Sequence, residues 1–535
     1  MAELHIRNLG EVRKALAKAA RTDASTADSV VDRFVELTPG LQDKLSAERH
    51  QLLTGRRGTG KSTLLFVLRK NLKSKQIPVA ILDMEKYNGR DYPDVLIEVL
   101  IALMREIQPK LTAREFLPRL RLKWKMSSLE SELRQMLTDP QRLVKQLSRR
   151  VNNKRDSGAQ IALKGNYAGQ EAGATASAQR SRDEEISAVG EYEEFKIQRL
   201  QSIAARISDL LVDVMKVSPD GHAVVFLDDY YFVPINDQPS VLGYLHQVCK
   251  GTGVWLKVGG VGSRLHPYVD GHPPVGMEPG HDLSVVPLDV TLADFATARR
   301  FLEDVLAGVV SPYVTPTELF TDDSRNRMVL ACGGAVTRDY ITLTEASLDE
   351  AVERMSKKGE YHEDAILKIW AVDIQSAVKK QMNVKEQEAF QRDAESDASA
   401  LSNRWRDICD FVASTGESFV LVPQAQLERD VWGKEIQQLE NLRLIHRIKD
   451  TKLKSGASAG IKMMVFMIDL GQQANVRLSK KIPEFWTSVA EFDNLRRSSW
   501  IYTPDWREKK AKDSGSAIAH SSSDEESEPL FNYED

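Results

Sequence analysis

Leucine, valine and alanine recur at helical spacing across residues 9–36 and predict one or two helices. The period then breaks. A short apolar run, His50-Gln-Leu-Leu-Thr54, leads into a glycine-rich stretch and then into the helix-forming LLFVLRKNLK. A second apolar run over 77–84 (IPVAILDM) reads as a buried strand, and 94–106 as an amphipathic helix. Strand, loop, helix and strand in this order open an α/β unit.

Residues 108–220 abandon that alternation. Long helices are predicted over 128–150 and 183–217, the second carrying Ile186, Val189, Phe195, Leu200, Ile203, Ile207, Leu211 and Val214 at loose helical spacing. Between them, 152–182 is rich in Gly, Ala, Ser and Gln and reads as a mobile or hairpin-like excursion. Strands resume at 223–227, 255–258 and 284–288, followed by helices over 292–306 and 347–381. From 404 the pattern is helix, short strand (419–422), two short helices and a β-pair (444–449 with 462–468). Beyond 506 the chain is polar and ends in SSSDEESEPLFNYED, a composition that predicts a disordered acidic tail.

The expected organisation is therefore N-terminal helices and the first half of an α/β core (1–107), a helical insertion (108–220) and the second half of the core (221–290). A helical segment (291–400), a small mixed domain (401–505) and the tail (506–535) complete it. At 535 residues the chain exceeds what one core organises. The net charge of −4 excludes a uniformly basic chain, so nucleic-acid contact would need a local patch. Three scattered cysteines, Cys249, Cys332 and Cys409, show no disulfide or zinc spacing. With no apolar run near ~18 residues, no membrane contact is expected and a cytoplasmic setting is.

Gly55-Arg56-Arg57-Gly58-Thr59-Gly60-Lys61-Ser62 satisfies GxxxxGK[ST] between a strand and a helix. Glycines let consecutive N–H groups point at phosphate oxygens, and the following helix, with Thr63 in its first turn, adds favourable partial charge. Lys61 would reach the β/γ-phosphates of ATP, and the Ser62 hydroxyl would ligate Mg²⁺. A second acidic element is needed for the metal, and the strand Ala223-Val-Val-Phe-Leu-Asp228-Asp229 offers one. Asp228 is placed to hold magnesium, and Asp229 to orient the attacking water.

These residues resemble the AAA+ and STAND branches of the P-loop ATPases, especially the origin-recognition-like and signalling ATPases, over roughly residues 25–345. The resemblance implies a P-loop NTPase parallel sheet with a helical lid. Trp255-Leu-Lys-Val-Gly-Gly-Val-Gly-Ser-Arg264 is similar to the sensor-1 strand, whose terminal arginine senses the γ-phosphate; Arg264 fills that position. Pro287-Leu-Asp-Val-Thr-Leu292 resembles the crossing into the lid. Cys332-Gly-Gly-Ala-Val-Thr-Arg338 is similar to the lid's GG-x-x-R sensor-2 element, with one extra residue before the arginine. Through Arg338 on the lid and Lys61 on the core, the γ-phosphate would tie the two together. Asp229 stands where AAA+ ATPases typically have glutamate. STAND proteins often carry this shorter acid, so slow, switch-like hydrolysis is as fitting as vigorous turnover.

Residues 404–470 resemble a winged-helix domain. The segment 434–445 has the spacing of a recognition helix running into the first wing strand, and 451–460 would be the wing. Arg443, Arg447, Lys449, Lys452 and Lys454 crowd that edge and would touch DNA phosphates; a domain that packs on the ATPase or on a protein is the alternative. Arg119, Arg121, Lys123, Lys125, Arg142, Lys145, Arg149 and Arg150, with Trp124, form a second basic cluster in the insertion. It is either a phosphate-binding face or a solvated helix face.

Two functional classes follow: a DNA-associated loader or remodeller acting through the winged helix, and a signalling switch that recruits a separate effector protein, for instance in stress or antiviral defence. Either is compatible with a nucleotide-dependent oligomer. No nuclease, protease or deaminase motif is present in the sequence. Intact Lys61, Ser62 and Asp228 weigh against a degenerate scaffold.

Overall fold

The computed structural model describes residues 3–20, 33–108, 116–138, 173–388, 390, 398–453, 459–475 and 482–510. They divide into two units, one made of Thr38–Gly55 and Lys61–Leu288, the other of Met1–Leu37, Arg56–Gly60 and Asp289–Asp535. Among the described residues no helix is long and apolar enough to cross a membrane.

The first unit is built on strands β1 (Gln51–Thr54), β2 (Val79–Asp83), β3 (Ala223–Asp228) and β4 (Val254–Gly260), a small hairpin β5 (Tyr268–Val269) and β6 (Val275–Gly276), and β7 (Ser284–Pro287). The main sheet runs β2-β3-β4-β1-β7 and every pair in it is parallel. A strand covered on both faces has no use for polar alternation, so β3 reads AVVFLD and is buried along its whole length. Parallel register brings the carboxyl ends of β1, β3 and β4 to one edge: Thr54 lies opposite Gly260, and Leu227 opposite Val258.

The insertion forms helices Phe116–Thr138 and Gly173–Val217. Leu122, Met126, Leu129 and Leu133 of the first share one core with Ile203, Ile207, Leu211 and Val214 of the second and with Leu96 and Leu100 of helix Tyr92–Glu106. From Leu200 to Val214 the helical spacing seen in the sequence is a packing stripe; the side chains of Ile186, Val189 and Phe195 lie outside the described residues. Two boundaries differ from the sequence reading. The first helix begins at Phe116 because its apolar stripe already starts at Leu122; residues 139–150 lie outside the described residues. The second is already helical at Gly173, where an excursion was expected. The rest of that segment, 152–172, lies outside the described residues.

Burial also fixes a titration in this unit. His50 is buried between the rings of His246 and Trp255, and its Nδ1 accepts the Leu256 N–H at 3.0 Å. Burial, then the neighbouring His246 and Lys257, push the imidazole down to about 4. With the folded value below the ordinary ~6.5, the unfolded chain takes up the proton first, so stability present above ~6.5 is lost as pH falls through about 4. Melting curves at pH 7 and 4.5 should show wild type losing on the order of 2 kcal/mol more than His50→Asn, whose amide oxygen can keep the Leu256 bond. Equal losses would contradict this.

In the second unit, helices Leu9–Ala19, Phe295–Val310, Asp322–Cys332, Thr337–Lys358 and Ala371–Glu388 form the helical part. The largely helical segment expected over 347–381 falls into two helices, Thr337–Lys358 and Ala371–Glu388. Gly359 takes the left-handed conformation (φ 71°), with its N–H on Ser356 and that of Glu360 on Met355, and the chain leaves the helix there. Helix Ala398–Thr415, β8 (Phe419–Pro423), helices Gln424–Arg429 and Val431–Asn441, β9 (Ile445–Lys452) and β10 (Lys462–Ile468) then follow in winged-helix order. Their antiparallel sheet runs β8-β10-β9. Alternation along these strands serves two cores. Val420, Val422, Phe466 and Ile468 pack with the domain's own helices, whereas Phe419, Leu421, Val465 and Met467 join the core of the helical lid. The winged helix and the lid are thus sealed together by apolar burial. Packed side chains continue past the expected boundary at 506: Trp506 Nε1 donates to Asp407 (3.1 Å), and Arg507 pairs with Asp407 and Asp410. Residues 511–535 lie outside the described residues.

Candidate functional site

In the first unit, the end of β1 passes directly into the phosphate-loop sequence, and the Gly55 N–H continues the strand pairing by donating to Gly260 O at 3.1 Å. Helix Lys61–Ser74 begins at the loop's lysine. Its first turn has N–H groups without intrahelical acceptors, the usual origin of an anion-binding helix end. Lys61 is buried, and its Nζ donates to Gly55 O at 2.8 Å, so the charge is held over the loop it would serve. Ser62 and Thr63 follow, both half-buried.

β3 delivers the acidic pair to the same edge. The Ser62 hydroxyl lies near enough to the Asp228 carboxylate to favour its charged form, so the two groups with magnesium-ligand chemistry stand at one sheet edge. Burial, then the adjacent Asp229, push the Asp228 carboxyl up to about 6, against the lowering effects of Ser62 and Lys61. A carboxylate in that position gains from a counter-cation. Among the described residues no cluster of three His, Cys, Asp or Glu side chains forms a protein-only metal cage. The donor set of one serine and one buried carboxylate suits a cation that takes its other oxygens from phosphates and water. Asp229 is left-handed (φ 49°, ψ 44°), a conformation non-glycine residues adopt at a cost, and its N–H donates to Asp228 Oδ1 at 3.0 Å.

Arg264 closes the turn after β4, and its guanidinium lies 4.9 Å over the Tyr231 ring. The turn is clamped by Gln238, a buried residue with no motif to single it out in the sequence. Its Nε2 donates to Arg264 O and Val233 O (both 3.1 Å), and its Oε1 accepts the His266 N–H at 2.7 Å.

In the second unit, the loop tip Arg56–Gly60 packs among lid residues. Gly58 and Gly60 have φ of 87° and 88°, and neither N–H has an acceptor among the described residues, which is the geometry for receiving phosphate oxygens. A Cβ on Gly58 would also lie 3.1 Å from Arg338 Cβ and 3.2 Å from Val336 Cγ1. Helix Thr337–Lys358 starts on this tip: Thr337 Oγ1 donates to Gly58 O (2.8 Å), and the Arg338 N–H does so at 3.2 Å. The Arg338 side chain is exposed. Thr59 Oγ1 closes the loop on Arg56 O at 2.9 Å, and Arg57 is half-buried. Arg56, expected among the phosphate contacts, points elsewhere. Its N–H donates to both Asp289 oxygens (2.9 and 3.1 Å), its Nε to Asp289 Oδ1 (3.2 Å) and its Nη1 to Gly333 O (3.0 Å). Asp289 had no local signal beyond its position just past a strand that pairs with β1.

The wing edge is less free than its sequence suggests. Arg443 pairs with Asp339 at 2.5 Å and Arg447 with Glu440 at 2.8 Å. Lys449 and Lys452 are exposed, and Lys454 lies outside the described residues. In the insertion Arg119 donates to Val217 O (2.8 Å) and Lys125 lies 3.8 Å from Asp213, while Arg121 and Trp124 face solvent. Arg142, Lys145, Arg149 and Arg150 lie outside the described residues.

No protein-family model matches the chain, and none of the curated proteins matches it. Among solved structures it is similar to the Aeropyrum pernix ORC1 protein in complex with DNA, at 10% identity and a TM-score of 0.30, covering 87% of this chain and 96% of that one. It is also similar to Drosophila ORC bound to DNA, at 11% identity and a TM-score of 0.26, covering 81% and 91%.

Proposed function

We propose that this chain binds Mg-ATP on the loop 55–63 and hydrolyses it slowly, as a nucleotide-driven switch controlling a partner. The observation carrying this reading is a buried Asp228 carboxylate standing near Ser62 and the buried Lys61, whose Nζ rests on Gly55 O. Magnesium, when bound, neutralises phosphate charge. Lys61 leaves Gly55 O for the β/γ-phosphate oxygens, and the Gly58 and Gly60 amides donate to phosphate. Ser62 and Asp228 would hold the metal, and Asp229 would accept the proton of the attacking water. Arg264 and Arg338 answer to the γ-phosphate. Phosphate release that needs added ATP and stops when EDTA removes magnesium supports this account. Release that is indifferent to EDTA sinks it.

A protein partner fits the C-terminal module better than DNA, because Arg443 and Arg447 are already neutralised within the chain. If DNA were the target, Lys449 and Lys452 would carry the phosphate contacts. Their double alanine variant would then flatten the plot of log affinity against log salt by about 0.9 for each phosphate no longer neutralised, equally for all sequences. The protein-partner reading instead expects weak filter retention of duplex DNA, identical for wild type and variant at both low and moderate salt. A variant-sensitive slope would overturn it.

A further inference from the structure

Arg56 ends a chain of polar groups that the phosphate chemistry leaves unexplained; Arg56, His446 and Asp469 are buried and Asp289 and Lys385 half-buried. Its guanidinium, 5% exposed, holds Asp289 and the Gly333 carbonyl. Against the same Gly333 lies His446 of β9, wholly buried, so close that a Cβ on this left-handed glycine (φ 62°) would fall 2.0 Å from the imidazole Nδ1. His446 Nε2 is 3.1 Å from Asp469 Oδ2, which also receives Lys385 Nζ, while Asp469 Oδ1 accepts the Gly471 N–H at 2.9 Å. Burial, with Lys385 and Arg56, holds the imidazole below its usual range against the raising effect of Asp469. Burial would raise Asp469, but Lys385 and His446 keep it well below the usual carboxylate range. Nε2 faces the Asp469 carboxylate, an acceptor, and donates to it. Nδ1 has no partner among the described residues. It is a fully buried ring nitrogen that faces Gly333, the glycine whose carbonyl Arg56 holds.

Charged groups are rarely buried unless each is answered by another. Here a cation, a carboxylate, a glycine carbonyl, an imidazole, a second carboxylate and a second cation run from the phosphate-loop tip to the winged helix. All of them belong to one unit. Cys332, immediately before the glycine, lies in the same lid core as Phe419, Val465 and Met467 of the winged-helix sheet, so the polar chain is embedded in the apolar seal between lid and wing.

We propose that Arg56 is a latch and not a phosphate ligand: through Asp289, Gly333 and the His446–Asp469–Lys385 chain it ties the loop tip to β9, so that the state of the loop is felt in the winged helix. Arg56 and His446 are positioning residues in this scheme. The latch itself stands on contacts independent of nucleotide; its use by ATP rests on the function proposed above.

Hydrogen exchange on the full-length chain tests both parts. Without nucleotide, Arg56→Met keeps an apolar stem and the backbone bond to Asp289, but removes the charge facing that carboxylate and leaves the Gly333 carbonyl without its guanidinium donor. Exchange in β9 should accelerate about tenfold while β3 stays within about twofold of wild type. If β9 is unchanged, or every segment accelerates alike, the latch is wrong. Should Arg56→Met fail to fold, His446→Gln gives the reciprocal reading. Exchange over 333–338 should rise about tenfold, and no change there overturns the proposal. Adding Mg²⁺ with a non-hydrolysable ATP analogue should slow β9 exchange in wild type and not in Arg56→Met. Binding that leaves wild-type β9 unaltered overturns the nucleotide link. If the analogue fails to bind wild type, the nucleotide reading falls, and the Arg56→Met comparison without nucleotide still decides the latch.

Discussion

Lys61→Ala weakens ATP binding more than tenfold or abolishes it. The ammonium is buried beside the loop and rests on Gly55 O, a neutral acceptor that exchanges readily for phosphate oxygens. A charge-assisted hydrogen bond is worth ~1.5–3 kcal/mol, so removing even one such bond amounts to about tenfold or more. Calorimetric titration measures the loss directly. Lys61→Met, which keeps most of the buried stem, separates lost charge from lost packing and should show the same defect. Unchanged affinity in both variants would remove the loop from the account.

Asp228→Asn and Asp229→Asn should fail in different ways. Asparagine at 228 fills the same volume and can still accept from Ser62, but it carries no charge for a cation, so magnesium-dependent binding suffers. Asp228 has its carboxyl pushed up to about 6 by burial and by Asp229, and a cation would reverse that tension. Asparagine at 229 should spare ATP binding and slow hydrolysis on the order of a hundredfold, the usual scale for losing a general base. Calorimetry and single-turnover phosphate release on the two variants separate the effects. If both bound and hydrolysed as wild type does, the end of β3 would have no part in the chemistry.

Where a local pattern forces a structure, the sequence was legible. Apolar runs without alternation became the buried strands β2, β3 and β4, and two glycines of the loop took positive φ. The order helix, strand, two helices, β-pair was likewise readable as a winged helix. What escaped were partners far apart in the chain. Arg56 meets an aspartate 233 positions away, and Arg443, apparently one of five wing charges, meets Asp339 at a separation of 104. No period or motif carries such a pairing. Gln238 escaped for a related reason, since a buried amide that clamps three backbone groups looks in sequence like any glutamine at a helix start. The insertion's second helix already covers Gly173, in a stretch without the apolar period that marked it further on.

The central claim is magnesium-dependent ATP binding on this loop, and calorimetric titration of the wild-type chain with ATP, in magnesium and again in EDTA, tests it most directly. The account predicts one saturable site in magnesium and at least about tenfold weaker binding in EDTA, as expected when Ser62 and Asp228 lose the cation they share with phosphate. No saturable binding in magnesium, or the same affinity in EDTA, would contradict it.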